Sequence, residues 1–104
     1  MAKYVLAYHG GGMPETEEEQ ARLMQAWSDW LGSAGEKLID GGAPIAQTKS
    51  VASDGAVSDG GGENPMTGYS LVSADSIDEV LAFAKSSPHL GSGGTIRVGE
   101  TIEM

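Results

Sequence analysis

Leu23, Met24, Trp27, Trp30, Leu31 and Ala34 recur at intervals of three and four residues, a spacing that puts two indoles on one helical stripe. It predicts a helix over residues 16–34. Thr16 followed three residues later by Glu19 makes a capping box for its start. Glu17, Glu18 and Glu19 fill the first turn, where the helix dipole favours anions, and Gly35 supplies the stop. Burying Leu23, Trp27, Trp30 and Leu31 contributes about 1.5–3 kcal/mol each, so the stripe demands a broad apolar partner surface. A sheet supplies one.

Strand patterns lie on both sides of this helix. Lys3 to His9 is rich in Tyr and Val, with Tyr4, Leu6 and Tyr8 on one face and Val5, Ala7 and His9 on the other. Lys37 to Ala43 reads as a second strand, weakened by Gly41 and Gly42. Ser53-Asp54-Gly55 between two short polar runs predicts a protruding hairpin near residues 48–58. Thr67 to Ala74 is a further strand. Ser76 and Glu79 cap a short helix carrying Ile77, Val80, Leu81 and Ala84, which Pro88 is expected to close. Thr95 to Met104 alternates Ile96, Val98, Ile102 and Met104 against Arg97, Thr101 and Glu103. Hairpin aside, the order is βαββαβ, the split βαβ arrangement of ferredoxin-like α+β folds, with both helices on one face of an antiparallel sheet. An apolar second face in so small a domain is best covered by a second copy, so a homodimer with sheets face to face is expected. The patch would be drawn from the strands around Val5, Val72 and Val98 or their alternates.

At 104 residues the chain is expected to form one domain, residues 1–104. Its net charge of −9 argues against nucleic acid or an anionic membrane as partner. The absence of cysteine removes disulfides, thiolate metal sites and thiol nucleophiles. No stretch reads as a signal peptide or membrane span, and a cytoplasmic location is expected.

Topology gathers the chemistry. In βαββαβ the end of the first strand, the connection between the second and third, and the start of the last share one end of the sheet. His9, Asp59 and His89 are therefore expected to meet there as general acid and base, over a floor of Tyr8 and Tyr69 with Trp27 available to line a ligand pocket. The bland alternative is that His9 caps its strand, His89 bonds a backbone carbonyl and Trp27 is core. Imidazole and carboxylate suit zinc or iron, but no short ligand spacing supports a metal, and no cofactor is expected. His9-Gly10-Gly11-Gly12 resembles an esterase oxyanion loop without the Gly-x-Ser-x-Gly elbow such an enzyme needs.

Taken together, Lys3-Tyr4-Val5-Leu6-Ala7-Tyr8-His9, Asp59-Gly60 ahead of Thr67-Gly68-Tyr69, Pro88-His89-Leu90 and Gly93-Gly94-Thr95-Ile96-Arg97-Val98 resemble the YCII-related proteins over nearly the whole chain. The resemblance implies a dimeric α+β barrel, a superfamily that includes isomerases and cofactor-free monooxygenases. The family's DGPF branch has Asp-Gly-Pro-Phe where this chain has Asp59-Gly60-Gly61-Gly62, and the histidine of the YCII first helix has no counterpart in Arg22-Leu23-Met24-Gln25. Two functions follow as expectations: an acid–base enzyme acting on a small molecule at His9, Asp59 and His89, or a non-catalytic module that binds a small ligand or a protein.

Overall fold

A computed structural model describes residues 2–12 and 14–103; Met104, counted above in the last strand, lies outside them. Strand β1 (Ala2–His9) is followed by helix α1 (Glu17–Gly32), whose cap is formed by Thr16 Oγ1 accepting from the Glu19 N–H at 3.1 Å. The helix ends in a turn in which Gly35 takes φ 57°, a conformation that costs glycine little. A 3₁₀ turn (Gly35–Lys37) leads into β2 (Leu38–Asp40). Among the described residues β3 (Lys49–Val51) and β4 (Val57–Asp59) pair only with each other, as the expected hairpin around Asp54-Gly55. After β5 (Met66–Ala74) come α2 (Ile77–Lys85), α3 (Pro88–Gly91) and β6 (Thr95–Glu100).

The main sheet is antiparallel in the order β2-β5-β1-β6, so with the hairpin set aside the chain is ferredoxin-like. Its central strand β1 is buried on alternate residues. Tyr4, Leu6 and Tyr8 face the helices and join Val72, Ala74, Val80, Ala84 and Trp30 in the core. Trp30 anchors α1 to the end of α2: its indole stacks on Phe83 at 4.3 Å, and its Nε1–H donates to the Phe83 carbonyl at 3.0 Å and to Ser86 Oγ at 3.1 Å. An apolar indole with its one donor satisfied can be buried without penalty.

Registers decide the other face. Val5 lies opposite Leu71, and Ala7 lies between Tyr69 on β5 and Arg97 on β6. These residues point away from the helices. Val72 and Val98 belong to the helix face, opposite Leu38, Tyr4 and Leu6, so the uncovered apolar patch is built on Val5 and Leu71 instead.

The remaining departures have local causes. Met24 is 73% exposed, because successive helix residues are rotated by about 100° and Met24 falls off the stripe centred on Leu23, Trp27 and Trp30. The second strand stops at Asp40, where the register slips against β5. Pro88 does not close α2, which has already ended at Lys85, but opens α3 at a first-turn position where its missing N–H costs nothing. The last strand ends at Glu100 and leaves Ile102 85% exposed.

Candidate functional site

The carboxyl end of β1, the loop before β5, α3 and the start of β6 converge at one end of the sheet. Ser87 caps α3, its Oγ accepting the His89 N–H at 3.1 Å, and the His89 ring is buried against Tyr8 and Trp27, with centroids 5.4 and 5.9 Å away. His89 Nε2 lies 2.9 Å from the His9 carbonyl oxygen. A carbonyl can only accept, so Nε2 carries a proton and donates it there. Two glycines make room. A Cβ on Gly94 would overlap the imidazole, and one on Gly11 would stand 2.8 Å from Cε1.

His9 is fixed by the same chemistry with the nitrogens exchanged. Its Nδ1 is 2.9 Å from the Asn64 carbonyl oxygen and must donate to it, so Nε2 is the nitrogen left to act as a base. Asn64 also reaches β6, its Nδ2 lying 3.5 Å from Thr95 Oγ1, and Gly10 N–H donates to the Pro65 carbonyl at 3.3 Å. Thr67 Oγ1 lies near both the Tyr8 and Gly10 carbonyls, at 3.3 and 3.2 Å. The end of β1 is thus held from three sides.

Of the three expected acid–base groups, the fold joins the two histidines, and only through the main chain of residue 9. Alternation along β1 puts the His9 side chain on the open face, while His89 lies on the helix side beside Tyr8. Asp59 does not join them. β4 pairs with β3 outside the main sheet, so the Asp59 carboxylate sits opposite Lys49, 3.0 Å from its Nζ, with its side chain 91% exposed. The connection between the second and third sheet strands does reach the histidines, but the residue it brings is Asn64. Sequence alone offered a weak signal for this, an Asn-Pro pair just ahead of a strand.

Tyr8 and Tyr69 do not share a floor either. Tyr8 is opposite Gly68 and faces the helices, whereas Tyr69 is opposite Ala7 and faces away from them. Trp27 is half-buried and meets Tyr8 edge to face at 4.9 Å, so it supports the Tyr8–His89 layer. The Tyr8 hydroxyl donates to Ser70 Oγ at 2.7 Å, which donates to the Gly41 carbonyl at 2.8 Å. Burial raises the Tyr8 phenol above its ordinary range, opposed by the Ser70 hydrogen bond. Arg97, read from the sequence only as the polar half of an alternation, stands across Ala7 from Tyr69 and two residues from the partner of His9.

Two hollows of about 270 and 520 Å³ lie between the end of α1 and α2, and beside the start of α1; neither includes a histidine. Among the described residues no three His, Asp or Glu side chains come together in a way that could hold a metal ion, and no helix is long and apolar enough to cross a membrane.

No family model and no curated protein matches the chain. Among solved structures it is similar to 5-chloro-2-hydroxyhydroquinone dehydrochlorinase from Burkholderia phenoliruptrix AC1100 in complex with 2,5-dihydroxybenzoquinone, at a TM-score of 0.57 and 16% identity. The match covers 96% of this chain and 95% of that one. This likeness supports the ferredoxin-like α+β barrel fold that the YCII resemblance implies, and at that identity it speaks to fold alone.

Proposed function

We propose that this chain is a YCII-related, homodimeric enzyme that performs acid–base chemistry on a small hydroxylated ring or carbonyl compound, without a tightly bound cofactor, and that His9 is the group that moves the proton. The observation that carries this reading is the fixed tautomer of His9. Its Nδ1–H is committed to the Asn64 carbonyl, so Nε2 offers its lone pair on the open face of the sheet, and imidazole chemistry suits proton transfer near neutrality. His89 is a positioning residue in this scheme, since its ring holds the His9 carbonyl and so the backbone from which His9 projects. Tyr69 supplies a flat contact for a ring beside Ala7, while Tyr8 and Trp27 brace His89 from the other side of the sheet. Asp59, paired with Lys49, has no part in the proton transfer. A second copy placed against the Val5–Leu71 face would enclose the site. The structural neighbour, a dehydrochlorinase in complex with 2,5-dihydroxybenzoquinone, suggests the class of probe.

The test is hydrogen–deuterium exchange at ring carbons of hydroxylated quinones and hydroquinones in D2O, followed by NMR. The protein should accelerate exchange, and His9→Gln should lose about 10²–10⁴-fold of that rate, the usual contribution of a positioned acid–base group. No acceleration with any such compound, or full rate in His9→Gln, overturns the reading. One observation favours a ligand-binding module instead: both histidines spend a ring nitrogen on a backbone carbonyl, and among the described residues neither touches a carboxylate. Saturable binding of the same compounds without exchange would decide for the module.

A further inference from the structure

Charge is distributed unevenly over the two faces of the sheet. The chain has fifteen Asp and Glu against six Lys and Arg. Yet the outward positions of β1, β5 and β6 carry Lys3, His9 and Arg97 and no carboxylate. One carboxylate shares that face on β2, Asp40 opposite Leu71, but it stands at the sheet edge away from β6 and its Oδ1 accepts the Gly42 N–H at 2.8 Å. Glu17, Glu18 and Glu19 start α1, and Glu100 stands opposite Tyr4 on the helix side, where Glu100 Oε1 accepts the Tyr4 hydroxyl at 3.2 Å. Three other basic side chains have acidic partners, Arg22 with Glu18, Lys37 with Glu79 and Lys49 with Asp59. Among the described residues Arg97, like Lys3 and Lys85, has none.

Register puts this unpaired guanidinium in a defined setting. Arg97 and Tyr69 flank Ala7 from the two neighbouring strands, about 10 Å apart at the backbone, or two strand spacings. His9 follows Ala7 by two residues on the same face, about 7 Å further along β1. Ala7 presents only a methyl between Tyr69 and Arg97, so an aromatic ring, a guanidinium and an imidazole share one face of the sheet around a small side chain.

We propose that this part of the open face binds a small planar anion, a phenolate or enolate oxygen being held by Arg97 while the ring lies over Ala7 against Tyr69. A guanidinium can give two parallel N–H bonds to adjacent oxygens and is the residue type suited to such a ligand. The inference rests on the proposed ligand site at His9 and adds to it the charge class of the ligand. It also gives Arg97 the role of a specificity-determining residue, selecting ionised over neutral rings.

Titration calorimetry tests it with 2,5-dihydroxybenzoquinone, ionised at its acidic hydroxyls, against its uncharged 2,5-dimethoxy ether, on the unmodified protein and on R97Q, R97K and His9→Gln. The anion should bind the unmodified protein in preference to the ether. R97Q should weaken it by about ten- to hundredfold, the loss of one charge-assisted contact, with partial recovery in R97K. Because Arg97 is exposed, R97Q should keep its fold, which its NMR dispersion would verify. Equal binding of anion and ether, unchanged affinity in R97Q, or no binding of the anion to the unmodified protein overturns the proposal. Arg97-dependent binding with no deuterium exchange leaves it standing and removes the acid–base function. Histidine-dependent exchange that is indifferent to R97Q does the reverse.

Discussion

Tyr8 shows what a single side chain can do in this sheet. Its ring fills the layer between β1 and α1 and touches Trp27, Trp30 and His89, while its hydroxyl is satisfied by Ser70, which is itself satisfied by the Gly41 carbonyl. A phenol raised above its ordinary value contributes stability that is fully present below the unfolded value near 10 and is lost as pH rises through the higher folded value, because the unfolded chain releases the proton first. Tyr8→Phe should therefore cost about 1 kcal/mol at neutral pH, through the lost hydrogen bond, and should flatten part of the alkaline decline in stability. Urea denaturation at pH 7 and again above pH 10 checks both. An alkaline decline identical in the variant would show that Tyr8 does not carry it.

At the level of elements, α3 shows a short helix serving as a bracket. Four residues cannot sustain a helix alone. Here the Ser87 cap and the Pro88 first turn hold the segment, and its purpose is to present His89 to the carbonyl of residue 9. Ser87 is itself buried, so Ser87→Ala leaves the His89 N–H without its partner. The substitution should destabilise the protein by about 1 kcal/mol, measured as a shift in denaturation midpoint, and should lower any His9-dependent turnover through the slackened bracket. A midpoint unchanged by Ser87→Ala would mean that the cap contributes nothing. The Ser-Pro pair is the sequence signal for this element. Read as a terminator of α2 it hides α3, and read as N-cap plus first turn it reveals it.

For the molecule as a whole, the open sheet face is the surface that asks for an explanation. Val5 and Leu71 are cross-strand partners at its middle, next to Ala7 and Tyr69, and among the described residues no helix lies over them. In the proposed homodimer this face meets its copy, so Leu71→Asp would bury an unpaired carboxylate at a cost of several kcal/mol. Light scattering at micromolar concentration should give a dimer mass for the unmodified protein and a monomer mass, or an unfolded chain, for Leu71→Asp. A monomer mass for the unmodified protein would remove the dimer and the enclosed site with it.

Much of the fold was legible because it is written locally. Thr16 and Ser76 cap the helices where their spacing from Glu19 and Glu79 says they should, Asp54-Gly55 turns the hairpin, and the order of elements gives the ferredoxin-like topology. Each of these depends on residues within a few positions of one another. The faces of the strands were not legible in this way. β1 is apolar on both sides, Tyr4, Leu6 and Tyr8 against Val5 and Ala7, so its period of two is equally consistent with either face inward. Only the packing of Trp30 and Val80 against Tyr4, Leu6 and Tyr8 breaks that symmetry. That choice separates Tyr8 from Tyr69, puts His9 and His89 on opposite sides of the strand end, and carries Arg97 to the open face. The replacement of Asp59 by Asn64 at the histidines has the same origin. Which residue of a long connection reaches a site depends on where a separate hairpin consumes chain, and pairing across β3 and β4, with Lys49 opposite Asp59, decides it.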